Sequence, residues 1–76
     1  MTYTYIKFEN QTAGEKARQL LLSKGISSQL KRNPNPNRKE GCNFALFVRG
    51  DVYKAFDILT KNNIRNLGVE TFRELL

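Results

Sequence analysis

EKARQLLLSKGI, residues Glu15–Ile26, and YKAFDILTKNNI, residues Tyr53–Ile64, decide the fold because each is a variant of the other. Lys16/Lys54, Ala17/Ala55, Leu21/Leu59 and Ile26/Ile64 are identical at a fixed offset, and Leu20/Ile58 is conservative. Ala13, Ala17, Leu20 and Leu21 fall at helical spacing, as do Val52, Ala55, Phe56 and Leu59 with Ile58 to one side. Thr12-Ala-Gly-Glu15 reads as a capping box that starts the first helix, and Gly25 as the left-handed residue that stops it. Asp51 reads as the second helix's N-cap, with Asn62-Asn63 at its close.

Outward from each helix lie strands. Tyr3–Phe8 alternates, with Tyr3, Tyr5 and Lys7 on one side and Thr4, Ile6 and Phe8 on the other. Ile26–Arg32 reads as a weaker strand. Phe44–Val48 is the most apolar run and the expected central strand, and a last one is expected around Leu67–Phe72. Asn33-Pro34-Asn35-Pro36-Asn37 is a loop, since its prolines lack donors and restrict the residues before them. A strand–helix–strand unit used twice predicts βαββαβ in a single domain over residues 1–76. That is the ferredoxin-like α+β sandwich, with a four-stranded antiparallel sheet ordered 4-1-3-2 and two helices on one face.

Composition narrows the function. With 76 residues and 39% hydrophobic content, the core is small and a deep catalytic cleft is hard to support. Histidine is absent and cysteine occurs once, which argues against soft-metal sites and His-based acid–base catalysis. No cofactor is expected. A lone cysteine suits a reducing compartment, and neither a secretory pattern nor a membrane-length apolar run is present, so the expectation is cytoplasmic with no membrane partner. Thirteen Lys and Arg against seven Asp and Glu give +6, which favours anionic partners, although a solvated basic surface needs no partner at all.

Cys42 stands where the basic loop turns into the apolar strand, a place where a thiol can be held and still be reached by water. The topology puts the start of strand three beside the end of strand one, close to Asn10–Ala13. Unpaired amides and the helix dipole favour a thiolate there. Arg38 and Lys39 add to that field and Glu40 opposes it. The first two influences draw a thiol pKa down from about 8.5. The plain alternative is a small apolar filler at the core's edge. No partner for hydrolysis or transfer is evident. What remains is group carriage, disulfide exchange or a single oxidation step.

Phe8 closing a strand, Gly25-Ile26 after a helix, Pro34 and Pro36 in the loop, and Gly41-Cys42 leading to Ala45-Leu46 make the chain similar to the small bacterial selenium/sulfur carrier-like domains. Asn43 stands where that family has a second glycine. The resemblance implies a carrier in which Cys42 accepts sulfur or selenium and hands it to an enzyme. Arg38, Lys39, Gly41 and Asn43 are then the candidates for holding a charged adduct and docking an acidic donor or acceptor protein.

The sheet face away from the helices is expected to present Tyr3, Tyr5, Lys7, Ala45, Phe47 and Arg49. Aromatics among cations on an open face suit base stacking in a nucleic-acid-binding module. Burial of that face in a homodimer is the competing expectation. A third reading is an interaction or regulatory domain in which Cys42 is inert.

Overall fold

The computed structural model describes residues 2–34 and 41–73. Six elements follow in the order β1 (Thr2–Phe8), α1 (Gln11–Ser23), β2 (Ser28–Arg32), β3 (Phe44–Val48), α2 (Val52–Lys61) and β4 (Val69–Arg73). The strands form one antiparallel sheet ordered β2-β3-β1-β4, which is the expected 4-1-3-2 read from the opposite edge. The result is an α+β fold compatible with the ferredoxin-like sandwich.

Why the repeat folds as it does is clearest at the helix ends. Lys24 caps α1, Gly25 follows at φ 82°, and Ile26 N–H donates to the Leu21 carbonyl at 2.8 Å. Asn62 caps α2, Asn63 follows at φ 57°, and Ile64 N–H donates to the Leu59 carbonyl at 2.9 Å. Both are Schellman closures, and both tuck an isoleucine back against the core. This geometry corrects the expected start of strand two. Ile26 belongs to the helix cap, so β2 begins at Ser28.

The start of α1 also differs from expectation. Asn10, not Thr12, is the N-cap, its Oδ1 accepting from Ala13 N–H at 2.8 Å. Glu15 does not reach back as a capping box requires, because Arg18 grips its carboxylate through Nε and Nη2 at 3.0–3.2 Å. Asp51 caps α2 as expected, accepting from Tyr53 and Lys54 N–H. β4 begins at Val69 instead of Leu67, where Asn66 Oδ1 accepts from Gly68 N–H in a tight turn.

Ile6, Phe8 and Leu46 from the central strands meet Ala17, Leu21, Ala55 and Leu59 from the helices in one buried cluster. Both helices therefore cover the same face. Full burial of each large apolar side chain contributes about 1.5–3 kcal/mol, and few such residues are available in so short a chain. Gly14 lets α1 approach β2 closely. A Cβ there would lie 2.5 Å from Leu30 Cδ1, so the leucine side chain fills the space a larger helix residue would need.

Candidate functional site

The register Phe8↔Phe44 places the start of β3 beside the end of β1, and the residues before Phe44 carry Cys42. Gly41 turns the chain at φ 71°, a conformation strained for other residues. Asn43 N–H then donates to the Gly41 carbonyl at 3.0 Å. The junction is tied down on both flanks. Asn33, buried at 6% exposure, donates from Nδ2 to the Cys42 carbonyl at 2.9 Å and from its backbone to the Asn43 carbonyl at 3.0 Å. Asn43 Nδ2 reaches the Glu9 carbonyl at 3.3 Å. Residues 41–43 thus lie next to the chain entering α1, as the topology predicts.

One expectation fails outright. Cys42 is fully buried at 0% exposure, not open to water. It is nevertheless separate from the helix-side cluster, as are buried Tyr5 and Ala45. It is the smallest of four influences on Tyr5. The Tyr5 phenol is pushed well above its ordinary value of about 10, first by burial, then by its hydrogen bond to Glu70, the charge of Glu70 and the charge of Cys42. Tyr5 and Cys42 therefore share an electrostatic neighbourhood away from the main core. Arg38 and Lys39, expected to act on the thiol, lie outside the described residues, as does Glu40. The first-turn amide of Ala13 is taken by Asn10, so that donor is not aimed at Cys42. Glu9, whose backbone carbonyl Asn43 holds, turns its carboxylate to Arg65 at 3.7 Å.

The face away from the helices carries the expected residues, but they are not equally open. Tyr5 is the correction: it has 0% exposure, its hydroxyl donates to Glu70 Oε2 at 2.7 Å, and its ring lies 5.3 Å from that of Phe47. It therefore presents no surface for stacking. Lys7 is also largely covered and pairs with Glu70 at 3.7 Å. Half-buried Tyr3 meets Phe47 edge to face at 6.1 Å, and Lys31 Nζ stands 6.0 Å from the centre of the Phe47 ring. Arg49 is exposed just past β3. Phe72 joins this face because Tyr3 pairs with Phe72, just as Tyr5 pairs with Glu70.

No protein-family model, curated protein or solved structure matches this chain.

Asn33, Glu70 and Phe72 are the site residues that the sequence reading passed over. Asn33 read as the first loop residue. Its position directly after a strand and before Pro34 was the available signal, since a pre-proline residue stays extended and can keep pairing. Glu70 and Phe72 become visible only once β4 is paired with β1 in register. Among the described residues, no helix is long and apolar enough to cross a membrane.

Proposed function

We propose that this chain is a ferredoxin-like, thiol-handling carrier of the cytoplasm, with Cys42 as its single working group and no resident cofactor. The observation that carries this reading is the placement of Cys42. The thiol lies outside the helix-side cluster, at a backbone junction pinned by Asn33.

The step required is a sulfane-sulfur transfer. Cys42 thiolate attacks the terminal sulfur of a donor persulfide, forming Cys42–S–SH as the donor's S–S bond breaks. The donor leaves as a thiolate that takes up the proton released by Cys42. Delivery reverses this chemistry on an acceptor thiol, and a terminal selenium atom follows the same balance. Because Cys42 has no solvent exposure, transfer requires the Gly41–Asn43 junction to open, and the Asn33 hydrogen bonds are the contacts that must give way. Gly41 supplies the turn and Asn43 the tie to Glu9. Arg38 and Lys39 are assigned to docking an acidic donor or acceptor protein.

Intact mass after incubation with a low-molecular-weight persulfide tests this reading. One added sulfur, removed by reductant and absent in Cys42→Ser, is the expected result. A folded protein that gains no adduct between pH 6 and 9 would sink the carrier reading and leave Cys42 as a structural residue.

A further inference from the structure

The sheet face away from the helices holds two depressions that both have Phe47 in their lining. The larger, about 500 Å³, is lined by Tyr3, Lys31, Arg32, Pro34, Phe47 and Phe72. The smaller, about 300 Å³, lies toward the other end of β2 and β3 and has Gln29, Phe47 and Arg49 in its lining. Each therefore combines aromatic surface with cationic side chains. Lys31 and Arg32 stand at one end of the track, Arg49 at the other, and the ring lies between them.

We infer that this track binds a short run of single-stranded nucleic acid, with bases set against Phe47, Tyr3 and Phe72 and phosphates met by Lys31, Arg32 and Arg49. A base needs an apolar planar surface and its phosphate needs a nearby cation, and both depressions supply the pair. Every base has a π-face, so the track is tolerant of sequence. Charge also decides against a second copy as occupant. The negative charge of Glu70 on this face is already engaged by Lys7, leaving Lys31, Arg32 and Arg49 in excess among the described residues. A two-fold contact would bring these cations toward their own copies in a chain that already carries +6. An acidic peptide would meet the cations but give the rings no planar counterpart. Tyr5 takes no direct part, because it is covered and anchored to Glu70.

Fluorescence anisotropy with labelled octamers of uridine and of thymidine, and an eight-base-pair duplex, tests the inference at two salt concentrations. Both single strands are expected to bind more tightly than the duplex, with affinity falling as salt rises, and their ratio reports any preference for ribose. Phe47→Leu keeps apolar cover over Tyr5 while removing the stacking ring, and is expected to weaken binding by about tenfold. Lys31→Ala/Arg49→Ala changes two exposed residues and is expected to lower the log–log salt slope by about 1.4, two phosphate contacts' worth. Cys42→Ser is expected to bind as the parent does, which separates this site from the carrier chemistry. No binding by the folded protein at low salt overturns the inference. Duplex binding equal to single-strand binding and indifferent to Phe47→Leu also overturns it. A concentration-dependent dimer in sedimentation, dissolved by Phe47→Leu, would assign the face to a second copy instead.

Discussion

The two faces of the sheet are built on different principles, although the same strands supply both. Under the helices, Ile6, Phe8 and Leu46 pack against Ala17, Leu21, Ala55 and Leu59 in a hydrophobic cluster. On the other face, Tyr5 is just as fully buried, but a carboxylate holds its hydroxyl and a lysine neutralises the carboxylate. One face obtains stability from area alone. The other combines area with a hydrogen-bonded ion pair, keeps Phe47 and Tyr3 half-exposed above it, and shares its electrostatics with the only cysteine. The difference suggests where stability and function divide within one small sheet.

The sharpest way to break that contrast is to truncate one side chain on each face. Leu46→Ala on the helix side is expected to cost about 2–5 kcal/mol in chemical denaturation, through lost burial and the cavity left behind. Tyr5→Phe on the other side removes only a hydroxyl, yet should cost about 1.5–3 kcal/mol because the acceptor is charged. If Tyr5→Phe is neutral, the second face is held by area alone and the contrast fails.

The pH dependence of the same pair of proteins sharpens the comparison. Burial and Glu70 favour the neutral phenol in the fold, so the Tyr5 pKa is raised relative to the unfolded chain. Its contribution is therefore fully present below about pH 10 and is lost as pH rises through and beyond that value. Denaturation midpoints should fall more steeply above about pH 10 in the parent than in Tyr5→Phe. Identical alkaline profiles would contradict the burial of that phenol.

Smaller effects mark where the second face turns from structure to chemistry. Asn33→Ala leaves the Cys42 carbonyl without its side-chain donor and should cost about 1 kcal/mol. The same change should speed alkylation of Cys42 in the folded protein by more than the roughly fivefold that losing about 1 kcal/mol of global stability would itself give. Lys31→Ala, at an exposed position, should shift stability by less than about 0.5 kcal/mol while weakening any anionic ligand of the Phe47 track.

The strands and helices were legible in the sequence for reasons that reappear in the structure. Phe44–Val48 is apolar because both its faces are covered to some degree, and its limits match β3. The two Schellman closures repeat because Leu21 and Leu59 must each accept from the isoleucine that seals the helix end. Misreadings arose where two local signals overlapped. Asn10 and Thr12 both suit an N-cap, and only the Arg18 grip on Glu15 removes the second option. Alternation in β1 correctly put Tyr5 on the face away from the helices. It could not reveal Glu70, which lies 65 residues away and meets Tyr5 only through the β1–β4 register. The burial of Cys42 fits the filler alternative that the sequence offered beside the reachable thiol, and spacing alone could not choose between them. Spacing places a residue on the chain, whereas cover depends on distant segments.

The most direct test of the proposed role is the rate of Cys42 alkylation by a small reagent, followed through urea concentrations below the unfolding transition. If the junction opens locally to deliver the thiol, labelling should be nearly independent of urea there, because little surface is exposed in the opening. Asn33→Ala should raise that flat rate. A labelling rate that climbs with urea along the full slope of global unfolding, in both proteins, would contradict the carrier reading, because Cys42 would then be reachable only when the whole fold is lost.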